Sequence, residues 1–322
     1  MTAGTVGAGA APALIETVRR ALDLLVPQAE NTRYAVAVSG GPDSMVLLDL
    51  MAALYPGRVA AATLDHGLRP ESAREAAMVA RWCADHSIPH ALLRPTSASQ
   101  GNVQAWARAQ RYARLEEWRA REGLDWLLTA HHADDQLETM LMRLNRGSGV
   151  GGLAAIRARS GRIVRPLLGI RKAALLAHAK AARLPFVEDP SNSDPRFDRA
   201  SLRARLQDVH WLDPLAATRS AAALGQAEEA LDWAARDIAD RHIYQIEDGW
   251  ALDRPPVPAE LLRRLVLLLI DRSAPGASPP RGAALDHAIA AAQAGGQASI
   301  ANWILAGGAI WTLRIAPARR RH

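Results

Sequence analysis

The chain has 322 residues and a formal net charge of +6 at pH 7, and 49% of its residues are hydrophobic. This length leaves room for two domains, and this hydrophobic content excludes a largely disordered protein. The one cysteine, Cys83, cannot form an internal disulfide, and the first residues do not resemble a secretory signal, so we expect a cytoplasmic protein.

Strands and helices alternate in the first part of the sequence. Apolar residues at positions 15, 18, 22 and 25 recur at helical spacing and predict a helix before the first strand. We predict strands at 34–38, 59–64, 90–93 and 126–130, separated by helices. This order is typical of a Rossmann-like α/β fold, in which a parallel sheet carries helices on both faces. Ligands bind at the carboxyl ends of such strands, so the loops that begin at Ser39, Asp65 and His131 are expected to form one active site.

The turn at residues 39–44 lies between a predicted strand and a predicted helix. Backbone N–H groups gathered at a helix N-terminus bind phosphate. The turn lacks the lysine of a Walker motif and the spaced glycines of a dinucleotide fingerprint, so hydroxyls and backbone would bind the anion. Asp43 beside a polyphosphate predicts a Mg²⁺ ion between them, and an ordinary turn is the alternative. The residues assigned to the nucleotide here are Ser39, Gly40, Gly41, Pro42, Asp43 and Ser44.

A second group of polar residues follows the strand predicted at 126–130. On a helix that begins near residue 134, Asp135 and Glu138 share a face and would hold a cationic substrate; a solvated helix face is the alternative. His131 and His132 are adjacent, point in different directions and have no cysteine at a suitable spacing, so a zinc pair is disfavoured. We favour histidines that stabilise charge developing on phosphate, with a structural role as the alternative.

Positive charge is concentrated in one stretch. From Thr139 to Val187 there are ten Lys and Arg residues and no Asp or Glu. Such a stretch produces a field that attracts a polyanion, and the planar guanidinium of arginine suits RNA phosphates and unpaired bases. An RNA substrate is therefore the leading hypothesis, and a solvated basic surface is the alternative.

The strand signal fades after residue 195. We place a domain boundary near residue 210, with one domain at 1–210 and a smaller, mainly helical domain at 211–322. Helices are predicted near 260–271, with residues 257, 261, 265 and 268 on one face, and near 283–293. The most apolar run, at 261–270, contains two arginines and is too short to span a bilayer, so we expect no membrane partner.

Several motifs resemble those of known enzymes. Residues 39–44 match the SGGxDS signature of the N-type ATP pyrophosphatases, or PP-loop enzymes. The sequences HHADDQLET at 131–139, RGSGVGGL at 146–153 and EDPSN at 188–192, with LDHGLR at 64–69, resemble the tRNA(Ile)-lysidine synthetase family. This match runs from about residue 34 to residue 205. It implies a PP-loop ATPase domain followed by a short helical domain for tRNA recognition.

The resemblance also implies a reaction and a set of ligands. ATP would adenylate C2 of the wobble cytidine in the CAU anticodon of tRNA(Ile), and the ε-amine of L-lysine would then displace AMP. Asp65 and Arg111 would join residues 39–44 at ATP, although a helix cap is open for Asp65. Asp135 and Glu138 would bind the lysine amines, and one of them would remove a proton. The residues implied at the tRNA are Arg108, Arg143, Arg146, Gly147, Ser148, Gly149 and Arg203.

This chain departs from the family pattern at one point, and other functions compete. The segment at 199–203 differs from the family's usual Asn-Arg-Ile-Arg, which puts the tRNA contact of Arg203 in doubt. A tRNA thiolase built on the same ATP domain generally needs a sulfur-carrying cysteine or an iron–sulfur cluster, which Cys83 alone does not supply. A non-catalytic tRNA-binding module is expected to have lost Asp43, Asp135 or Glu138, yet all three are present. Oligomeric state is left open, with a homodimer as one option.

Overall fold

The computed structural model describes residues 11–27, 30–65, 67, 71–96, 103–187, 198–206, 208–280 and 282–316. Contacts divide the chain into two compact units, Met1–Gly225 and Gln226–His322. Among the described residues, no helix is long and apolar enough to cross a lipid bilayer.

The first unit is built on a six-stranded sheet. Its strands in chain order are β1 (Tyr34–Ala37), β2 (Val59–Leu64), β3 (His90–Leu93), β4 (Trp126–Leu128), β5 (Arg159–Ser160) and β6 (Ile163–Val164). The spatial order is β3-β2-β1-β4-β6-β5, and every neighbouring pair is parallel except β5 and β6. The carboxyl ends of β1, β2, β4 and β6 therefore lie along one edge of the sheet, as the sequence predicts for the first three.

Helices cover both faces of this sheet. Those of the first unit are α1 (Ala11–Leu25), α2 (Pro42–Leu54), α3 (Glu71–Asp85), α4 (Val103–Arg121), α5 (Ala133–Leu144), α6 (Val150–Leu153), α7 (Lys172–Ala181) and α8 (Asp198–Leu206). Because side chains alternate along a strand, Val36 joins one core with Leu48 of α2, while Ala35 joins the other with Trp118 of α4. Cys83 of α3 is fully buried in the first core, and burial raises the pKa of its thiol to about 12. The predicted α/β fold is confirmed.

The second unit contains a sheet that the sequence analysis did not predict. Its strands are β7 (Ile243–Ile246), β8 (Gly249–Asp253), β9 (Gln297–Ile300), β10 (Trp303–Ala306) and β11 (Ile310–Ile315). They form an antiparallel sheet in the order β7-β8-β11-β10-β9. The helices α10 (Ala259–Ser273) and α11 (Gly282–Gln293) pack with the strands in one apolar core.

A long helix, α9 (Pro214–His242), contains the contact-based division at Gly225. The boundary that the sequence suggests, near residue 210, lies just before this helix. The two positions differ because a continuous helix has no Pro- or Gly-rich linker at the point where its contacts change.

Candidate active site

The loop between β1 and α2 presents backbone groups for an anion. Gly40 has a φ of +85°, in the left-handed region that favours glycine, and its carbonyl accepts a hydrogen bond from the Val187 N–H at 2.9 Å. The Ser44 hydroxyl accepts from the Ser39 N–H at 3.1 Å and lies 3.0 Å from the Gly41 carbonyl. Gly41 caps α2 without a side-chain hydrogen bond, and Pro42 opens the helix. The N–H groups of the first turn therefore face an open end of the helix, where phosphate binds.

Asp43 lies in the first turn of α2, with its side chain 24% exposed. Its Oδ2 atom is 3.6 Å from His132 Nε2, whereas Oδ1 is buried and has no hydrogen-bond partner among the described residues. An unpaired buried carboxylate oxygen is costly unless a ligand satisfies it, and oxygen ligands suit Mg²⁺. Within the described ranges no group of three His, Cys, Asp or Glu side chains could hold a metal ion. A cation at Asp43 would therefore take further ligands from phosphate.

His132 begins α5 and connects Asp43 to the carboxylates of that helix. Its ring Nδ1 accepts from the Asp135 backbone N–H at 3.3 Å, while the His132 backbone N–H donates to Asp135 Oδ2 at 3.2 Å. In this neutral form the ring proton lies on Nε2, which is 3.5 Å from Asp135 Oδ2. Burial lowers the pKa of His132, but Asp43, Asp135 and Asp134 outweigh it, so that the net shift of the pKa is upward.

His131 has the opposite electrostatic environment. Burial lowers its pKa, and the charges of Arg165, Arg108 and Arg111 lower it further, against the opposing charge of Asp135. Its Nδ1 is 3.0 Å from the Thr129 hydroxyl at the end of β4. His131 is therefore a neutral ring beside positive charges, and the two adjacent histidines have different chemistry.

Asp135 and Glu138 share one face of α5, as the sequence predicts, and α8 packs against that face. Glu138 is only 4% exposed, and its carboxylate accepts from Arg203 Nε at 2.7 Å and from Arg203 Nη2 at 3.0 Å. Arg199 Nε lies 3.4 Å from the same carboxylate. Arg203 Nη2 is also 3.9 Å from Asp135 Oδ1. Burial raises the pKa of Asp135, but His132, His131 and Arg199 lower it more, and the net shift is downward.

A cleft of about 440 Å³ opens on the Glu138 side of this face. It lies between α5, the start of α7, the end of α8 and the segment at 208–214. Its polar and apolar lining residues are Asp134, Glu138, Arg171, Lys172, Arg203, His210, Leu137, Leu206, Val209, Leu212 and Pro214. Cationic, anionic and apolar groups thus surround one space, a combination that suits an amino acid with an aliphatic side chain.

Asp65 follows β2 at the same edge of the sheet. Its Oδ1 accepts from the Gly67 N–H at 2.9 Å and from the Ser72 hydroxyl at 2.6 Å. The carboxylate thus holds the loop that leads into α3, which agrees with the capping role left open in the sequence analysis. A nucleotide contact by Asp65 stays a prediction.

The residues predicted at RNA, and Arg111, which is predicted at ATP, occupy different environments. Arg108 and Arg111 lie over the ring of Tyr112, at 5.1 and 5.8 Å from its centre, and Arg143 donates to the Gly152 carbonyl at 2.7 Å. Arg146 is exposed and pairs with Asp198 at 2.9 Å. Arg203 instead contacts the α5 carboxylates, so its predicted tRNA contact has no separate support. Gly147, with a φ of +67°, Ser148 and Gly149 form the turn between α5 and α6.

Sequence reasoning missed the arginines that approach this edge from β6 and α8. Arg165 directly follows β6, a strand of two residues that is too short to give a recognisable pattern. Arg199 was noted only as part of a departure from the family pattern. Other positions of the predicted motifs lie outside the described residues: His66, residues 68–69 and residues 188–192.

Known proteins match this chain over most of its length. A PP-loop domain family matches residues 14–210. The chain is 40% identical over 298 residues to the tRNA(Ile)-lysidine synthase of Zymomonas mobilis subsp. mobilis, covering 90% of each chain. It is 43% identical over 279 residues to the enzyme of the same name from Novosphingobium aromaticivorans, covering 84% of each.

A solved structure shares the fold. The U34-tRNA thiolase NcsA from Methanococcus maripaludis, with its 4Fe-4S cluster, matches with a TM-score of 0.54 and 18% identity. The match covers 66% of this chain and 78% of that one, and supports the common fold alone. The family predicted from the motifs is confirmed by the sequence relatives: the chain belongs to the tRNA(Ile)-lysidine synthase family, on a PP-loop ATPase domain.

Proposed function

We infer that this chain uses ATP to adenylate C2 of the wobble cytidine of tRNA(Ile) bearing CAU and then joins L-lysine to that carbon. One observation carries the assignment of roles. A continuous row of side chains leads from Asp43 through His132 and Asp135 to Glu138 at the cleft, with steps of 3.6 and 3.5 Å and a shared Arg203. An activated base at the loop and an amine at the cleft would meet along this row.

The first step needs a site for the phosphates of ATP. The cytidine O2 attacks the α-phosphorus, a P–O bond forms, and the bond to the pyrophosphate leaving group breaks. The open N-terminus of α2 and the Ser39 and Ser44 hydroxyls would bind phosphate oxygens. Asp43, through its unpaired Oδ1, would hold Mg²⁺, which offsets the charge on pyrophosphate when bound. Neutral His131 would donate a hydrogen bond without adding charge.

The second step needs a free amine. The lysine ε-ammonium must lose a proton before its nitrogen can attack C2, where a C–N bond forms and the bond to the AMP oxygen breaks. The lowered pKa of Asp135 makes it a weak base. This direction favours Asp135 as the charge that holds the ammonium. Glu138 is proposed to accept the proton because it lines the cleft.

Lysine binding at Glu138 requires an exchange of cations. The carboxylate already accepts two hydrogen bonds from Arg203 and lies near Arg199. A lysine ammonium would therefore replace a guanidinium on the same oxygens. The cleft supplies the route, because Glu138 and Arg203 both line it.

Sulfur transfer is the competing reaction on this fold. A persulfide carrier must be an accessible thiolate. Cys83 is buried and the pKa of its thiol is raised to about 12, so this residue does not meet that requirement.

The direct test is incorporation of radiolabelled lysine into an unmodified tRNA(Ile) bearing CAU, in the presence of ATP and Mg²⁺. We expect label in the RNA together with release of pyrophosphate and AMP. Incorporation and release should both be lost when the wobble cytidine is replaced by uridine. Pyrophosphate release without incorporation would retain the adenylating site but contradict lysine as the nucleophile. A protein that gives neither product, yet binds the RNA, would be a binding module.

A further inference from the structure

Arg165 is a buried cation whose charge is not balanced within the described part of the chain. It follows β6 at the carboxyl edge of the sheet and is 7% exposed. Its Nη1 donates to the Arg157 carbonyl at 2.7 Å, but its Nε is buried without a hydrogen-bond partner among the described residues, and no described carboxylate pairs with it. Buried charges are normally paired because desolvation is costly. The guanidinium therefore retains the capacity to bind an anion.

Four further arginines contact Arg165 or share its electrostatic environment. We call Arg108, Arg111, Arg143, Arg157 and Arg165 the arginine cluster. The charges of Arg108, Arg111 and Arg165 act on His131. Burial lowers the pKa of Arg143, and the charges of Arg108 and Arg157 lower it further. Arg143 is held by the carbonyls of Gly152 and Ala155, at 2.7 and 3.1 Å, rather than by a carboxylate. In the parts of the chain that the structure describes, no member of the cluster forms an ion pair, so mutual repulsion is unrelieved.

The position of Arg165 in the sheet separates it from the proposed nucleotide site. The phosphate loop follows β1, and Asp65 follows β2 on one side of it. Arg165 follows β6, which lies on the other side, beyond β4 and His131. The acceptor of the adenylyl group must approach the loop from a side that the nucleotide leaves open. The anion at Arg165 is therefore assigned to the RNA rather than to ATP.

We propose that the arginine cluster binds a phosphodiester adjacent to the target cytidine, with Arg165 as its innermost contact. This inference rests on the proposed function. A planar guanidinium presents its Nε and a terminal nitrogen as a fork that matches two phosphate oxygens. The bound phosphodiester would hold the extruded nucleotide between the cluster and the loop at residues 39–44, which makes Arg165 a positioning residue for the RNA.

The first experiment uses the wild-type protein and an anticodon stem-loop RNA. A neutral methylphosphonate replaces one phosphodiester at a time on either side of the target cytidine, and binding is measured by fluorescence anisotropy. We expect one of these linkages to raise the dissociation constant about tenfold, as for the loss of a charged hydrogen bond. The salt dependence of log Kd should also become shallower by about 0.7, the value for one phosphate contact on a single strand.

The second experiment combines that RNA with Arg165→Gln. The variant should lose about tenfold affinity for the native RNA and nothing further with the neutral linkage, because both changes remove the same contact. Arg165→Lys retains the charge but not the forked geometry, so its affinity for the native RNA should lie between those of wild type and Arg165→Gln. The matched control is Arg162→Gln, which removes the same charge from an exposed position beside the Trp126 ring and should bind RNA as wild type does.

Each contradictory outcome has its own meaning. If wild type binds ATP but not the stem-loop, the proposed function fails. If it binds the stem-loop but no neutral linkage matters, only the arginine site is wrong. A loss of ATP affinity rather than RNA affinity in Arg165→Gln would assign the anion to the nucleotide. An equal loss of RNA affinity in Arg162→Gln would indicate a general electrostatic attraction of the RNA rather than a specific contact by Arg165. The wild-type RNA series decides the question even when Arg165→Gln does not fold.

Discussion

Two arginines, one in each unit, show what a charge pair means in this molecule. Arg264 of α10 has a side chain that is 12% exposed, and it contacts Glu228 at 2.7 Å, Glu260 at 2.8 Å and Asp232. Arg165 of the first unit is buried to a similar degree but pairs with no described carboxylate. The same residue type is thus satisfied internally in one unit and left unsatisfied in the other.

The difference separates structural charges from ligand-binding charges. A guanidinium surrounded by its own carboxylates connects α9 to α10 and has no capacity left for another anion. A guanidinium or carboxylate that is buried without a partner, such as Arg165 or Oδ1 of Asp43, retains its capacity for a ligand. These two groups lie at the carboxyl edge of the parallel sheet, whereas the third such atom among the described residues, His242 Nδ1, lies 3.8 Å from Asp253 Oδ2 in the second unit. The following variants test this distinction.

The largest effect is expected for Asp43→Asn. Pyrophosphate release should fall about a hundredfold or more, because the variant cannot hold the Mg²⁺ ion that would offset the charge on the pyrophosphate leaving group. The free energy of unfolding should fall by less than about 1 kcal/mol, because Oδ1 has no hydrogen bond to lose and the contact of Oδ2 with His132 is long, at 3.6 Å. Pyrophosphate release assays and urea unfolding measure the two quantities.

Asp49→Asn is the matched control on the same helix. Asp49 lies 2.8 Å from the buried His178 ring, so it is a paired carboxylate. This variant should lose about 3 kcal/mol of stability and retain its ATP affinity. An Asp43→Asn protein that unfolds as easily as Asp49→Asn would contradict the distinction between the two carboxylates.

Glu138→Gln tests an exception to this distinction, because Glu138 is fully paired and yet is proposed to bind lysine. Lysine incorporation should fall about a hundredfold through loss of the proton acceptor, while pyrophosphate release without lysine persists. Initial rates at varied lysine concentration measure the effect. Glu117→Gln, on the surface of α4, removes an equal charge and should incorporate lysine normally. A Glu138→Gln enzyme that is merely less stable would make Glu138 structural, and the lysine site would have to be sought elsewhere.

Arg264→Leu should destabilise the second unit. The change leaves three carboxylates close together, two of which are partly exposed, so we expect a loss of about 2 kcal/mol. Arg241→Leu, which removes an exposed ion pair with Asp237 on α9, should cost less than about 0.5 kcal/mol. Urea unfolding followed by circular dichroism compares them. Equal effects would show that the three-carboxylate arrangement has no special importance.

The smallest effect concerns pH and His131. Because burial and three arginines lower the pKa of His131, the folded protein binds fewer protons there than the unfolded chain does. The resulting stability is present above the unfolded pKa of about 6.5 and is lost as the pH falls toward the folded pKa. His131→Asn should therefore lose less stability than wild type between about pH 7.5 and about pH 5. The stability of each protein is measured by urea unfolding at a series of pH values. Parallel curves of stability against pH for the two proteins would exclude a neutral His131.

The sequence predicts the parts of the site that follow long, regular strands. The loops at Ser39, Asp65 and His131 lie at one edge because β1, β2 and β4 are buried runs with clear ends. Spacing alone places Asp135 and Glu138 on one face, and both approach Arg203. These features depend on local order along the chain, which a single sequence records.

Other features depend on contacts between distant positions. Arg203 meets Glu138 across 65 positions, and β6 exists only because two residues pair with β4. In α10, we predicted a face that includes Leu265 and Leu268, whereas the buried residues are Leu262, Leu265, Val266, Leu269 and Ile270. The run is apolar almost throughout, so its periodicity is weak. The strands β7 to β11, which pair with one another in an antiparallel sheet, were not predicted although they are as long as β1 and β4.

The burial of Cys83 has a consequence for labelling chemistry. Its thiol lies in the core between α3 and the sheet, and its raised pKa leaves almost no thiolate at neutral pH. Maleimide reagents will therefore react slowly with the native protein. A cysteine introduced at an exposed position such as Tyr244 becomes the one reactive thiol of this sequence. A fluorophore can then be attached at a chosen position without first removing Cys83, so that binding and turnover are observed in an otherwise unaltered chain.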